Sequence, residues 1–387
     1  MPRSDVERQV TRAPLRWIIL KIHQRCNLNC SYCYVYNRGD DSWKARPKQI
    51  TDTVIDRVCQ RISEHCAKHG LDEFVIELHG GEPLLVGKKR FVAIVNRIRA
   101  ACVGVRITYL LQTNGTLIDR EWCDIFAEHG VNVGVSVDGP AEIADLNRYY
   151  HNGRGSTDDV LRRLAAVKTG SGRSFDHGCL AVIDPRIPGG RMIDWLVENN
   201  INAADLLLPL GNRANPPAGW TGPEPYTRFM LEAFERWWKL DGAAPQIRYF
   251  ETLIRAHLGR KPELDALGGD LGALCVVETN GAIGISDVIS VCGGYGEPDR
   301  YNVHDTALDE HVDKLNVDLV QSPCATCRSC PEFVACNGGY VPHRWDGTGF
   351  DNPSIYCQTI MALSARIRQA LIDVLPATMI IDEEEAA

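Results

Sequence analysis

Three cysteines near the start of the chain have a spacing that could surround one metal centre. Cys26, Cys30 and Cys33 lie in the stretch Cys-Asn-Leu-Asn-Cys-Ser-Tyr-Cys, directly after an apolar run typical of a β-strand. A structural zinc site and a fully ligated iron–sulfur cubane each need four protein ligands, but no histidine or fourth cysteine follows closely. The three thiolates therefore predict a metal with one open coordination position for a cofactor or substrate. A partial zinc site and three unrelated cysteines on a turn are the alternatives.

Four more cysteines form a second group near the end of the chain. Cys327 and Cys330 are followed by Cys336 and, twenty-one positions later, by Cys357. Four thiolates suffice to ligate a whole [4Fe–4S] cluster without an outside ligand. A four-cysteine zinc site is the alternative. The spacing therefore predicts a closed metal site in the C-terminal part of the chain.

The other eight of the fifteen cysteines fall into two sets. Cys275, Cys292 and Cys324 could hold a further cluster only with an unusual or open fourth ligand. The remaining five lie on predicted helices or strands without partner spacing, and we expect them to pack in the core as small hydrophobes. They are Cys59, Cys66, Cys102, Cys123 and Cys179.

Polar and glycine-rich clusters follow the second, third and fourth predicted strands. They are His79-Gly80-Gly81-Glu82-Pro83, Gln112-Thr113-Asn114-Gly115 and Ser136-Val137-Asp138-Gly139-Pro140, with Arg148 a little further on. Glycine allows the backbone to approach a ligand closely, and a carboxylate such as Glu82 can pair with an ammonium group. Ordinary turns are the alternative for each cluster. The ends of parallel strands would bring these clusters to the same edge as Cys26.

Composition excludes several classes of protein. The 387 residues carry a formal charge of -8, which argues against a general nucleic-acid binder. The segment Met1 to Pro14 lacks the apolar stretch of a secretory signal, and no apolar run approaches the roughly 18–20 residues of a membrane span. We therefore expect a cytoplasmic protein without membrane or nucleic-acid partners. In that reducing compartment, clustered cysteines are metal ligands or catalytic thiols more often than disulfides.

The elements that must position these residues alternate between strands and helices. Six runs have β-type composition: Trp17–Ile22, Phe74–His79, Val105–Gln112, Val131–Val137, Cys179–Ile183 and Asp205–Leu208. Between them, Thr51, Asp119 and Ser156 mark helix starts. This βα repeat predicts a parallel sheet, either doubly wound or curled into a barrel.

The second half of the chain has a different organisation. A loop rich in proline and glycine, Gly211 to Pro225, marks a boundary. An aromatic stripe beginning at Phe229 predicts a helix that packs on the core, and a last amphipathic helix is expected from about Ile355 to Leu375. We predict three units: residues 14–225, a bridging helical segment at 226–262, and a cysteine-rich unit at 263–375.

The first cysteine group resembles that of the radical S-adenosylmethionine (SAM) superfamily. The resemblance implies a partial (β/α)6 TIM-like barrel, an α/β fold. It also implies that Cys26, Cys30 and Cys33 hold a [4Fe–4S] cluster whose unique iron binds the methionyl group of SAM. Tyr32 matches the aromatic position that lies against the adenine. The other SAM contacts that it implies are Gly80, Gly81, Glu82, Asn114, Ser136, Asp138 and Arg148.

The second cysteine group resembles the auxiliary-cluster extension called SPASM, found in radical enzymes that modify peptides. The resemblance implies a C-terminal iron–sulfur domain with one or two auxiliary clusters. In the full extension a further cysteine follows three residues after the position of Cys336, but this chain has Tyr340 there. The departure puts in doubt a first auxiliary cluster built from Cys275, Cys292 and Cys324.

Two longer stretches resemble the maturases that form cyclophanes in ribosomal peptides. They are the segment from Lys21 to Trp43 and the segment from Cys336 to Cys357. The resemblance implies that a 5′-deoxyadenosyl radical takes a β-hydrogen from a precursor peptide and that the carbon radical then joins an aromatic ring. Its implied partners are that peptide and a reductant such as flavodoxin or ferredoxin. The segment before the first strand is too short for a winged-helix recognition domain, so we expect leader recognition elsewhere.

The cyclophane reaction also needs a base for the proton lost from the ring. Glu278, Asp287, His343 and Asp351 are candidates of the right chemistry, and the sequence does not select among them. Thioether formation and formylglycine formation are the alternative reactions of the same superfamily. A non-enzymatic iron–sulfur or zinc module is the alternative outside it.

Overall fold

Six parallel strands alternate with helices in the first part of the chain. The computed structural model describes residues 13–375 except 171–176, 294, 296–298 and 311–316. The strands are β1 (Trp17–His23), β2 (Glu73–Gly80), β3 (Arg106–Thr113), β4 (Val131–Ser136), β5 (His177–Val182) and β6 (Ala203–Leu207). Each of them confirms one of the six predicted strands.

The order of the strands distinguishes the two architectures that the sequence leaves open. β1 to β6 lie side by side in chain order, and each pairs in parallel with the next. A doubly wound sheet reverses its order at a switch point, whereas a barrel does not. β7 (Gln246–Ile247) extends the sheet beyond β6. The outermost strands at the two ends of this ten-stranded sheet do not pair with one another among the described residues, so the barrel is partial.

Eight α-helices among the described residues accompany these strands, and the first and third of them begin at a side-chain cap. They are α1 (Asp52–His69), α2 (Lys88–Ala101), α3 (Arg120–His129), α4 (Ala141–Ala144), α5 (Thr157–Gly170), α6 (Gly189–Glu198), α7 (Glu224–Lys239) and α8 (Arg248–His257). The Thr51 hydroxyl accepts a hydrogen bond from the Val54 amide at 3.3 Å, and Asp119 accepts one from the Trp122 amide at 2.9 Å. Gly70 ends α1 with φ at 64°, a conformation that glycine adopts without strain.

The aromatic stripe of α7 packs in the core as predicted. Phe229, Met230 and Phe234 are buried against the neighbouring helix α6 and the last helix of the described residues. Gly189 permits the close contact with α6, because a Cβ atom there would lie 1.8 Å from the Phe229 carbonyl oxygen. The core prediction for the isolated cysteines also holds, with Cys123 half-buried and the other four buried.

The cysteine-rich region continues the barrel sheet. Its elements are β8 (Leu274–Val277), β9 (Ala282–Gly284), β10 (Tyr301–Asn302), α9 (Val317–Gln321), α10 (Ala325–Arg328), α11 (Phe333–Cys336) and α12 (Cys357–Val374). β8 pairs in parallel with β1, with Cys275 opposite Ile18. The sheet therefore crosses the predicted boundary at residue 263, and the bounds of the three units stay predictions. Within the described residues, no helix is long and apolar enough to cross a membrane.

Candidate functional site

The first cysteine group lies in the loop that leaves β1. Cys26, Cys30 and Cys33 are half-buried there. The Cys33 amide donates to the Cys30 carbonyl at 3.0 Å, so the loop turns tightly between these two thiols. On its other side, the Asn29 amide donates to the Tyr149 carbonyl at 2.8 Å. The loop is thus held both by its own turn and by the segment that precedes α5.

The three thiols face one another in a poorly solvated place. Burial, together with the Glu82 carboxylate and the other two cysteines, raises the pKa of Cys26 to about 12. The pKa of Cys30 is raised to about 11, mainly by burial. Thiolates crowded together in this way need a cation, and an iron–sulfur cluster supplies one. The donor set therefore fits a cluster held by three cysteines.

Three of the predicted SAM contacts form one network beside this loop. The Tyr32 hydroxyl donates to Asp138, and Arg148 donates to the Tyr32 oxygen at 2.8 Å. Asp138 also accepts from the Val182 amide at 3.1 Å. Asp138 and Arg148 are buried, so a carboxylate and a guanidinium fix the orientation of the tyrosine ring. Their contacts with SAM stay predictions.

Glu82 is fully buried and bonded to the end of β3. Its carboxylate accepts from the Leu84 amide at 2.9 Å, the Thr113 hydroxyl at 2.8 Å and the Asn114 amide at 2.8 Å. Burial raises the pKa of Glu82 to about 7, despite these three donors. Glycine is required at position 81, because a Cβ atom there would lie 2.6 Å from the backbone carbonyl group of Arg25. The predicted contact of Glu82 with the methionyl amino group is not tested by these bonds.

Asn114 connects the end of β3 to the cysteine loop. Its side-chain amide donates to Asn27 at 2.9 Å and lies 3.6 Å from the Cys26 sulfur. Ser136, at the end of β4, accepts from Gln112 at 2.8 Å. The structure thus brings the predicted residues at the ends of β2, β3 and β4 to the edge that carries the cysteine loop.

A cavity of about 500 Å³ lies between the segment that follows the cysteine loop, Val35 to Arg46, and the C-terminal region, and a buried charge cluster lines it. Lys21 Nζ lies 3.3 Å from Glu278 and 4.0 Å from Asp287. Arg46 lies 3.0 Å from the same oxygen of Glu278. The Tyr34 hydroxyl donates to Asp287 at 2.5 Å. These contacts join residues of β1 and the loop after it to the region of β8 and β9.

The opposite charges of this cluster stabilise one another's ionised forms. Burial opposes the ionisation of Asp287, but Lys21, His79 and the Tyr34 hydrogen bond outweigh it and hold the pKa below its usual value. Burial likewise works against the charge on Lys21, yet Glu278 and Asp287 raise its pKa overall. Lys21 was not among the site residues predicted from the sequence. A lysine in the apolar run of β1 is a signal that could have identified it.

The four candidate bases differ in whether they line this cavity. Glu278 and Asp287 line the cavity, whereas His343 and Asp351 do not. His343 is buried between the rings of Tyr340 and Tyr356. Its ring nitrogens have no hydrogen-bond partner among the described residues, and burial lowers its pKa to about 3. Asp351 is exposed.

The second cysteine group contains one more thiol than its spacing predicts. The Cys324 sulfur lies 3.5 Å from that of Cys327. Burial, Cys324, Cys336 and Cys357 together raise the pKa of Cys327 to about 12. Burial, with Cys330 and Cys357, raises the pKa of Cys336 to about 11. Five described thiols therefore share one region.

Cys324 is thus grouped differently from the sequence-based expectation, which placed it with Cys275 and Cys292. Burial alone raises the pKa of Cys275 and of Cys292 to about 12, with no thiol contributing among the described residues. Both are fully buried. Cys324 lies at the start of α10 beside Cys327, and a further cluster on Cys275, Cys292 and Cys324 stays a prediction.

Arg344 fixes the two loops that lead into this group. It is buried, and it donates to the Gln321 carbonyl at 3.0 Å and to the Phe350 carbonyl at 2.7 Å. These carbonyls lie a few residues before Cys324 and Cys357. A planar guanidinium can donate hydrogen bonds to several carbonyl oxygens at once. Nothing in the sequence apart from the resemblance singled out this arginine.

Comparisons with known proteins agree with this geometry. The profile of the Radical SAM superfamily matches residues 20–175. The serine-type anaerobic sulfatase-maturating enzyme of Klebsiella aerogenes is 34% identical over 356 residues, which cover 88% of this chain and 82% of that enzyme. The chain belongs to the radical SAM family that includes these maturating enzymes. The predicted superfamily is therefore confirmed.

Other relatives extend the match to nearly the whole chain. The cysteine-type anaerobic sulfatase-maturating enzyme of Clostridium novyi is 25% identical over 366 residues, 89% of this chain and 93% of that enzyme. The structure of native anSMEcpe with bound AdoMet has the same fold, with a TM-score of 0.79 and 24% identity. The match covers 92% of this chain and 99% of that one. The structure of Streptococcus suis SuiB bound to precursor peptide SuiA matches with a TM-score of 0.61 and 15% identity. The match covers 89% of this chain and 76% of that one.

Membership in the radical SAM family settles the general activity. The protein is a radical SAM enzyme that modifies a peptide or protein, and its cofactors are [4Fe–4S] clusters and SAM. The predicted fold class, a partial barrel followed by a cysteine-rich region, is confirmed as well. The assignments of individual residues as cluster ligands or SAM contacts stay predictions.

Proposed function

We propose that this enzyme forms a cyclophane in a ribosomal precursor peptide, joining an aromatic ring to the β-carbon of a residue two positions away. The cavity beside the first cysteine loop carries the proposal. Trp43, Tyr295 and Trp345 line it, and Asp287 lies buried at its floor. Aromatic walls suit an aromatic side chain of the substrate, and a buried carboxylate suits the proton that the ring must lose.

In this proposal Cys26, Cys30 and Cys33 hold the cluster that binds SAM. The SAM contacts are Tyr32, Gly80, Gly81, Glu82, Asn114, Ser136, Asp138 and Arg148. An auxiliary cluster is held by Cys327, Cys330, Cys336 and Cys357. When bound, these cofactors supply hydrogen abstraction and an acceptor for one electron.

The protein's own residues position the substrate and move a proton. One hydrogen atom leaves the β-carbon, and one proton and one electron leave the ring as the new carbon–carbon bond forms. Asp287 is the proton acceptor, because it is ionised, faces the cavity and is held by Tyr34. Glu278, shared between Lys21 and Arg46, balances the charge at the floor.

Formylglycine formation is the second candidate, and the relatives favour it. Anaerobic sulfatase-maturating enzymes match this chain over most of its length, at up to 34% identity among those described above. That reaction also removes two hydrogens when the substrate residue is serine. It leaves an aldehyde and needs no aromatic residue, so the two products differ in their chemistry.

The experiment combines enzyme, reductant, SAM and the precursor peptide encoded beside the gene. A cyclophane product is two hydrogens lighter, does not react with a hydrazide and resists thiol-directed reagents. Replacing the aromatic residue of the peptide by leucine abolishes it. An aldehyde captured by hydrazide, formed equally from the leucine peptide, supports formylglycine formation instead. Consumption of a peptide cysteine, with the β-hydrogens retained, indicates thioether formation.

A further inference from the structure

A group of potential metal ligands lies on the outer face of α1, outside the site described above. His65 and His69 are four residues apart and so lie on one face of the helix. Asp309 approaches them from the C-terminal region. Its Oδ1 atom lies 2.8 Å from His65 Nδ1 and 3.0 Å from His69 Nε2. One nitrogen from each ring and one carboxylate oxygen lie within 4.8 Å of one another.

The orientation of His65 points independently to a cation. The ring is buried, and its Nε2 lies 2.8 Å from the Leu15 carbonyl oxygen, which can only accept a hydrogen bond. Nε2 therefore carries the hydrogen, and the neutral ring directs its Nδ1 lone pair at Asp309. Nδ1 makes no hydrogen bond of acceptable geometry among the described residues. At 2.8 Å a positive charge must lie between the two atoms: either a proton on Nδ1, for which the hydrogen-bond geometry is poor, or a metal ion.

The donor set and its spacing suit a transition metal. Metal-binding histidines commonly donate their other ring N–H to a backbone carbonyl, as His65 does. Ligands about 2.1 Å from a metal are about 3.0 Å apart at right angles and about 3.4 Å apart in the tetrahedral arrangement of zinc. The two distances from Asp309 Oδ1, 2.8 Å and 3.0 Å, therefore require the three ligands to move apart by a few tenths of an ångström around a zinc ion. Lys68 binds the other oxygen of Asp309, Oδ2, at 2.6 Å and leaves Oδ1 available.

We propose that His65 Nδ1, His69 Nε2 and Asp309 Oδ1 bind one divalent transition-metal ion of the zinc type. The ion is structural and is separate from the iron–sulfur clusters. It links α1 of the barrel to a residue 240 positions further along the chain. Such a link stabilises the contact between the barrel and the C-terminal region, because it closes a long loop of the unfolded chain.

The test uses the reconstituted enzyme with all its clusters, freed of loosely bound metal by a chelator and then given one equivalent of Zn²⁺. Zinc and iron per chain are measured after gel filtration. We expect the wild type to retain one zinc ion, and His69→Ala and Asp309→Asn to lose it with iron unchanged. His304→Ala, at an exposed histidine in the same region, keeps it. Both ligands replaced are at the surface or half-buried, so these variants should fold.

Thermal unfolding gives a second measurement. Zinc should raise the midpoint of the wild type and of His304→Ala, but not that of His69→Ala or Asp309→Asn. Zinc retained equally by both ligand variants would overturn the proposal. So would a wild type that retains no zinc, or zinc uptake matched by loss of iron, since that would mean binding at the cysteines.

Discussion

The Tyr34 hydroxyl donates a hydrogen bond of 2.5 Å to Asp287, which lies 253 positions away. Tyr34 directly follows Cys33, the last cysteine of the first group. Asp287 belongs to the C-terminal region and lines the cavity. This single contact therefore couples the loop proposed to hold the SAM-binding cluster to the residue proposed as the base.

Replacing Asp287 by asparagine tests its role as the base. Asparagine keeps the shape of the side chain and can still accept from Tyr34, but it cannot take the ring proton. We expect product formation to fall by about 10²–10⁴-fold, while SAM is still cleaved to 5′-deoxyadenosine. Both products are measured by mass spectrometry. Asp299→Asn is the matched control, because Asp299 also lines the cavity but is exposed. Full cross-linking by Asp287→Asn would rule out the assignment.

Replacing Lys21 by methionine tests the charge cluster through its pH dependence. Asp287 has a lowered pKa, so it stabilises the fold above its usual value of 3.8, and this contribution is lost as the pH falls through the folded pKa. Without Lys21 the pKa of Asp287 rises. The acid limb of the rate profile should therefore move to higher pH.

The same Lys21 variant should also be less stable. Removing one partner of a buried ion pair costs about 3–5 kcal/mol, seen as a lower thermal midpoint. Lys88→Met is the control, since Lys88 pairs with Asp119 and Glu121 nearer the surface, where such pairs contribute about 0–1 kcal/mol. An unchanged rate profile in Lys21→Met would show that Lys21 does not set the charge of Asp287.

Replacing Cys26, Cys30 and Cys33 together by alanine tests the first ligand set. The variant should lose about four iron atoms per chain and form no 5′-deoxyadenosine under reduction. Cys123→Ala, at a half-buried cysteine on α3, should keep both. Normal turnover by the triple variant would contradict the assignment.

Replacing Cys324 by serine tests whether the fifth thiol acts on the auxiliary cluster. In the background without the first three cysteines, only auxiliary iron remains. The 3.5 Å contact with Cys327 predicts that Cys324→Ser changes the electron paramagnetic resonance spectrum of that reduced cluster. Cys275→Ser is the control and should leave the spectrum unchanged. An equal change of the spectrum in both variants would restore the grouping of Cys324 with Cys275 that the sequence suggested.

Features that depend on neighbouring residues could be predicted from the sequence. The six strands, the caps at Thr51 and Asp119, and the three-cysteine loop all follow from short-range patterns, because strand formation and helix capping depend on the types and spacing of nearby side chains. The cysteine spacing and its resemblance to a family also identified the superfamily. The choice between a barrel and a doubly wound sheet did not follow from the strands alone, since it depends on which strands become neighbours.

Contacts between distant parts of the chain were decided by the tertiary structure. Asp287 is a better candidate for the base than Asp351 because it lies beside Lys21 and Tyr34. Their spacing in the sequence does not predict that proximity. The sequence placed Cys324 with Cys275 and Cys292, whereas in the structure its sulfur lies against Cys327 at the start of α10. Burial and charge neighbours determine the pKa of a side chain, and both arise only when residues separated by hundreds of positions pack together.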